Sequence, residues 1–201
     1  MTFLYDLTMP EILRRILAAL IHAGLQGGLL ALLLRIAGDR RAAENGRMTF
    51  NPFNHVLLSG IFLTVAFRMN WLEPLPFAPG RRWAERLRPL AALLVSFAVL
   101  LALVPLLDLA RAPLHEILPR TAGYAVLSTI DTLQIVLVGS VCLGLLPLPG
   151  MLLGSALPPM FPVIEKRYRK AAGIGRALVA MLLIIGWFPN VAPLVALLRV
   201  V

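Results

Sequence analysis

The sequence has one cysteine, Cys142, among its 201 residues. A single thiol excludes an internal disulfide and a metal cluster held by several thiolates. Because Cys142 lies within an apolar run, we expect it to be a small, buried hydrophobic side chain. The fold must therefore be held together by packing and hydrogen bonds.

Charged side chains are also scarce: they make up 14% of the chain, whereas hydrophobic residues make up 59%. Soluble domains carry about 25% charged residues, and a mean hydropathy of +0.84 excludes an ordinary water-soluble globule. Lys and Arg outnumber Asp and Glu by 19 to 10. The basic residues fall in short clusters between apolar runs, which is typical of an integral membrane protein and not of a nucleic-acid-binding protein.

Four apolar stretches approach the length of about 20 residues that a membrane-spanning helix needs. They cover residues 10–36, 89–107, 123–146 and 171–188. A further stretch, 55–67, has only 13 residues and is predicted to be a re-entrant segment. A short tail, 191–201, ends the chain. The predicted fold class is all-α integral membrane, with a single multi-pass domain over 1–201.

The charge of the loops predicts an orientation. Basic residues exceed acidic ones by two in 35–47, by three in 81–88 and by four in 165–176, whereas 108–120 is neutral. Basic loops stay in the cytoplasm, and the first two share that side only if 55–67 enters and returns. The predicted location is a bacterial inner membrane, with both termini outside.

Three motifs follow His22 and Gln26, which lie one turn apart on the first predicted span. Residues 46–55 read Gly-Arg-Met-Thr-Phe-Asn-Pro-Phe-Asn-His, 70–76 read Asn-Trp-Leu-Glu-Pro-Leu-Pro, and 145–149 read Leu-Leu-Pro-Leu-Pro. In order and spacing these segments resemble small bacterial members of the site-2 protease family, the intramembrane zinc metalloproteases. The resemblance extends over about 12–198, and 46–55 is its most specific part.

The resemblance implies a zinc site built on His-Glu-x-x-His, in which Glu is the general base and a later Asp is the third ligand. Here the first His is His22, but Ala23 stands at the Glu position and Gln26 at the second His. Leu152 stands where the family has Asp. An open catalytic zinc site keeps three protein ligands. The resemblance therefore implies a pseudoprotease with no catalytic residue, metal or cofactor.

Several interpretations remain open at this point. His55 matches the His of the family's Asn-Pro-x-x-His turn, so His22 and His55 are predicted to hold a residual metal or haem, or to hydrogen-bond within a vestigial polar pocket. An active metalloprotease with substituted ligands is one alternative for the whole chain. A small transporter that uses Asp131 and His22 is another, although no internal repeat favours it.

Small residues four apart let membrane helices approach closely. Gly24 and Gly28 have this spacing on the first span, and Ser140 and Gly144 on the third. They are predicted either to pack the fold internally or to contact a foreign helix. Asp131 is predicted to contact a partner subunit or to be hydrogen-bonded near the outer interface. The sequence thus predicts an accessory or scaffold subunit, whose partners are other integral membrane subunits.

A basic cluster precedes the last predicted span. It consists of Lys166, Arg167, Arg169 and Lys170. Each cation near a membrane surface attracts anionic headgroups by about 1 kcal/mol. We expect this cluster to contact anionic lipids at the cytoplasmic face.

Overall fold

The computed structural model describes residues 7–75, 77, 82–161, 166–168 and 170–200. The helices are α1 (Met9–Ile36), α2 (Arg41–Glu44), α3 (Leu58–Phe67), α4 (Trp83–Leu109), α5 (Arg111–Ile117), α6 (Arg120–Gly144), α7 (Leu152–Ala156), α8 (Ala172–Ile185) and α9 (Ala192–Leu198). Short 3-10 turns cover Pro52–Asn54 and Pro158–Met160. In the described ranges the fold contains no β-strand, only an isolated antiparallel bridge between Val56 and Leu72.

Three helices are long and apolar enough to cross a membrane. α1 has 28 residues, α4 has 27 and α6 has 25, and at 1.5 Å per residue each exceeds a hydrocarbon thickness of about 30 Å. These helices match the first three predicted spans, as expected for a membrane protein. α8 has 14 residues, fewer than a helix needs to span alone.

The helix ends differ from the predicted ones by a few residues. α4 begins at Trp83 and contains Pro89 as an internal residue, whereas the sequence predicts a start at residue 89. The Glu85 carboxylate accepts a hydrogen bond from the Arg82 backbone N–H at 3.5 Å, and an acidic side chain in the first turn also stabilises the helix dipole. This cap stabilises a start one and a half turns earlier.

α1, α4 and α6 pack against one another and form the core. The face of α1 that meets the other helices carries alanines without solvent exposure: Ala18, Ala19, Ala23 and Ala31. Larger side chains fill the remaining space: Leu30, Leu34, Leu93, Leu100, Val136 and Leu137. Because lipid provides no hydrophobic force between helices, such close contacts stabilise the bundle mainly by van der Waals attraction.

Residues 55–73 form a hairpin whose two ends lie side by side. α3 carries the chain outward by about 15 Å, Arg68 turns it with a left-handed backbone (φ 57°), and the extended residues that follow cover about the same distance back. The hairpin closes where Val56 pairs with Leu72 and the Glu73 N–H donates to the His55 carbonyl at 3.2 Å. A re-entrant segment needs this geometry.

Two contacts fasten the tip of this hairpin to the beginning of α1. Arg68 forms an ion pair with Glu11 at 3.0 Å, and the Arg15 guanidinium donates to the Val65 carbonyl. Glu11 also pairs with Arg15 at 2.8 Å. The hairpin therefore lies along α1, with its tip at the first turns of that helix.

The last part of the chain starts beside the end of α6 and finishes beside the middle of that helix. The first turn of α8 lies against the segment after α6, since a Cβ on Gly175 would overlap the Pro149 carbonyl. Gly186, with φ +80°, ends α8. After α9, Arg199 pairs with Asp131 at 2.7 Å, about 20 Å back along α6 from Gly144.

Candidate functional site

The middle of α1 carries the residues that the sequence places at the expected zinc site. His22, Ala23 and Gln26 are 2%, 0% and 0% exposed. Residues four apart share one face of a helix, so His22 and Gln26 face the bundle interior together. Each side chain is bound to a different neighbouring element.

His22 is bound by Asn70 from the returning arm of the hairpin. The Asn70 side-chain amide lies 3.2 Å from His22 Nδ1 and donates to the Ala19 carbonyl at 3.0 Å. The Asn70 backbone N–H donates to Ser140 Oγ on α6 at 2.8 Å. Asn70 thus joins α1, α6 and the hairpin, and it is buried. The sequence identifies Asn70 only as part of a motif, because its partners are 48 and 70 residues away.

Gln26 connects α1 to α4. Its side-chain amide donates to Ser96 Oγ at 3.0 Å, and the Ser96 hydroxyl donates to the Leu93 carbonyl at 2.7 Å. Gln26 and Ser96 have no solvent exposure. A hydrogen bond between two buried polar side chains satisfies groups that would otherwise be costly in the bundle interior. Gln26, at the position of the expected second zinc ligand, therefore holds α1 and α4 together.

His55 fastens the loop before α3 to α1. Its ring lies against Gly27, where any Cβ would overlap it, and its Nε2 lies 2.8 Å from the Thr49 carbonyl. Nε2 must therefore carry the proton, and Nδ1 is buried without a partner in the described part of the chain. Burial is the main effect and lowers the pKa of His55, while the hydrogen bond to Thr49 raises it by less, and the charges of Arg47 and Glu73 act in opposite directions. The ring is accordingly neutral at pH 7.

Arg47 holds the same loop to the end of the hairpin. Its guanidinium donates to the carbonyls of Asn54 at 3.0 Å, Pro74 at 3.1 Å and Glu73 at 3.1 Å. The Glu73 carboxylate lies 3.7 Å away. Arg47, in the motif at 46–55, therefore joins two separate segments by binding their backbone carbonyls.

The four small residues predicted as packing or partner contacts all touch the chain itself. A Cβ on Gly24 would lie 2.5 Å from the Phe50 carbonyl oxygen, and one on Gly28 would lie 2.6 Å from the Phe50 ring. Ser140 accepts the hydrogen bond from Asn70. A Cβ on Gly144 would lie 2.7 Å from the Phe97 ring. Larger side chains at these positions would disturb internal packing.

The residues at the expected zinc site do not fit a zinc ion. Ala23 and Leu152 have no donor atom, and His22 Nδ1 is bound to Asn70. The Gln26 Nε2 donates to Ser96, and its Oε1 has no hydrogen-bond partner among the described residues. One neutral amide oxygen beside one imidazole does not complete a site of three ligands. Leu152 is 7% exposed and packs in the hydrophobic core. Among the residues that the structure describes, no three His, Cys, Asp or Glu side chains are grouped so that they could hold a metal ion.

Asp131 belongs to a second polar cluster, near the middle of α6 and about 20 Å from Gly144 along that helix. Its carboxylate pairs with Arg111 and, at 2.7 Å, with Arg199. Gln134 accepts from the same two guanidinium groups, at 2.8 and 3.1 Å. Asp108, which is 1% exposed, pairs with Arg111 at 3.0 Å and accepts from the Val200 N–H at 2.9 Å. Two carboxylates and two guanidinium groups cancel, so the chain's own arginines neutralise Asp131.

The predicted lipid-contacting cluster is described for three of its four members. Lys166, Arg167 and Lys170 are exposed. Arg169 lies outside the described residues. Their neighbour Tyr168 donates its hydroxyl to the Pro147 carbonyl after α6. The exposed cations thus flank a side chain that is tied to the end of a membrane-length helix.

Comparison of the chain with models of known protein families, with curated proteins and with solved structures finds no match.

Proposed function

We propose that the chain is a non-catalytic, site-2-protease-like membrane protein, and that it is an accessory or scaffold subunit of a larger membrane complex. The main support for this proposal is that the residues at the expected zinc-site positions make packing and hydrogen-bond contacts within the chain. Gln26 binds Ser96, His22 binds Asn70, and Ala23 and Leu152 are packed in the core. These side chains hold the helices together.

The chemistry of the same residues supports the proposal. Hydrolysis of a peptide in a metalloprotease needs a general base and a metal that lowers the pKa of its bound water. The Ala23 methyl group cannot accept a proton, and a Gln26 amide is not a base at neutral pH. We infer that a protein that retains this fold without the catalytic groups acts through a surface that binds other proteins.

The distribution of charge supports a topology with four crossings. The Arg14 guanidinium lies 5.7 Å from the centre of the Tyr124 ring, so α1 and α6 begin at the same end of the molecule. The basic loops follow α1, precede α4 and precede α8, which places all three at the other end. Because basic loops stay inside, we assign that end to the cytoplasm of a bacterial inner membrane. α8 and α9 together make the fourth crossing.

An exposed face of α8 supports a role in binding other membrane subunits. Its buried residues Gly175, Val179 and Leu183 form one narrow stripe. The large apolar side chains on the rest of its surface are exposed: Ile174, Leu178, Met181, Ile184 and Ile185. In a bilayer this face meets lipid chains or the helix of a partner, and we assign it to the partner.

The test is to tag the chain at its genomic locus, solubilise native membranes in a mild detergent and identify the proteins that accompany it. We expect a constant set of integral membrane subunits at a fixed ratio to the chain. A tagged multi-pass protein of the same membrane is the control for unspecific recovery. Recovery of the chain alone, or only with proteins that the control also recovers, would exclude the scaffold role.

A further inference from the structure

A cleft of about 600 Å³ opens between the loop before α3, the end of the hairpin and the segment between α6 and α8. Arg47, Glu73 and Arg176 line it. The cleft lies at the end of the molecule that carries the basic loops. His22 and Gln26 are not among its lining residues.

The charge of the cleft is positive. Arg47 and Arg176 bring two cations, and Glu73 brings one carboxylate. The Glu73 side chain is 58% exposed and lies 3.7 Å from Arg47, so solvent weakens this ion pair. Arg176 makes one long hydrogen bond, at 3.4 Å, from its Nε to the Ala172 carbonyl of its own helix. Within the described part of the chain Arg176 has no acidic partner, and its terminal nitrogens are available to a ligand.

Apolar side chains also line the cleft. Leu75 and Phe77 line it and are only 4% and 3% exposed. Pro158 and Pro159 complete this apolar part. A lining that combines cations with apolar side chains suits an amphiphile with an anionic head, because the cations can bind the head and the apolar side chains can contact the chain.

We propose that this cleft binds the phosphate headgroup of an anionic phospholipid. Arg176 and Arg47 bind the phosphate by charge-assisted hydrogen bonds, and the first acyl carbons lie against Leu75 and Phe77. Basic pockets at the cytoplasmic side of membrane helices are suited to such headgroups. The exposed cations Lys166 and Arg167 lie next to the lining residue Tyr168 and attract the lipid to the cleft. The inference depends on the chain lying in a membrane, and it is independent of the scaffold role.

The first test compares two arginine variants of the full chain in detergent micelles. Native mass spectrometry measures binding of dioleoylphosphatidylglycerol and, as the zwitterionic reference, dioleoylphosphatidylcholine. We expect Arg176→Gln to weaken binding of the anionic lipid about tenfold, the typical effect of losing a charge-assisted hydrogen bond. The matched control is Arg40→Gln, which removes an exposed cation of the same basic end that does not line the cleft and should change binding less than about twofold. Equal losses in both variants would show unspecific attraction to a basic surface and would overturn the proposal.

The second test fills the cleft without changing its charge. Ser155 lines the cleft and its hydroxyl bonds only within its own turn, to the Met151 carbonyl. Ser155→Trp should therefore abolish binding of phosphatidylglycerol while the helical circular dichroism is retained, and unchanged binding would contradict the proposal. Inorganic phosphate is added to the wild type as a competitor. Displacement of the lipid by phosphate at the concentration of the lipid itself would identify a site for a soluble anion and would exclude the lipid.

Discussion

The side-chain amide of Asn70 lies 3.2 Å from His22 Nδ1 and joins the returning arm of the hairpin to the middle of α1. Through its backbone N–H the same residue reaches Ser140 on α6. The hairpin thereby becomes part of the helix bundle. Three separate segments therefore meet at one buried residue.

We predict that Asn70→Ala lowers the free energy of unfolding by about 1–3 kcal/mol, because His22 Nδ1 would be left buried without a donor. The Ala19 carbonyl would lose its second hydrogen bond and keep the one within α1. Unfolding of the purified protein by titration with a denaturing detergent measures the loss. Ser128→Ala is the control, since the Ser128 hydroxyl donates only to carbonyls of its own helix. Equal stability of the two variants would show that the Asn70 network does not stabilise the fold.

The ion pair between Arg199 and Asp131 predicts a local effect. Both side chains are partly exposed, at 30% and 43%, so the pair contributes only about 0.5–1 kcal/mol. We expect Arg199→Gln to increase amide hydrogen exchange in α9 by about two- to fivefold and to leave α1 unchanged. Asp131→Asn should act similarly, and the double variant should be less than additive. Unchanged exchange in α9 would show that the cluster does not hold the tail.

The hairpin geometry predicts that the loops on either side of it lie on one side of the membrane. In a Cys142→Ser background, cysteines at the exposed positions Glu44 and Ala84 should react with an impermeant maleimide only when the cytoplasmic face is accessible. A cysteine at Glu116, in the neutral loop, should react from the opposite face. Labelling of positions 44 and 84 from opposite sides would contradict the re-entrant geometry.

The length and hydropathy of the sequence suffice to predict α1, α4 and α6, because the ability to cross a membrane is a local property of about 20 residues. The sequence predicts a re-entrant segment at 55–67 because 13 apolar residues are too few for a span. The turn at Arg68 and the return of the chain to His55 are seen only in the structure. The start of α4 could not be predicted from apolar length, because it depends on the interaction of Glu85 with Arg82. Boundaries depend on caps, which apolar length does not reveal.

The partners of the polar residues could not be predicted from the sequence. Asp131 and Arg199 are 68 residues apart, and nothing local indicates that the tail folds back along α6. Gly24 and Gly28 have the spacing of helix contacts, yet the structure places Phe50 from a loop against them. Spacing predicts a close approach and does not identify which segment approaches. The sequence shows which residue types stand at the four positions of the protease motif. That Gln26 donates a hydrogen bond to Ser96 is seen only in the structure.

The central claim is that His22, Ala23, Gln26 and Leu152 hold the fold together and do not bind a catalytic zinc ion. Elemental analysis of the protein, purified without chelator from cells grown with zinc, tests this claim most directly. We predict far less than one zinc per chain, with the same value for His22→Ala. One zinc per chain in the wild type, lost in His22→Ala, would contradict the account and identify the chain as a metalloprotein.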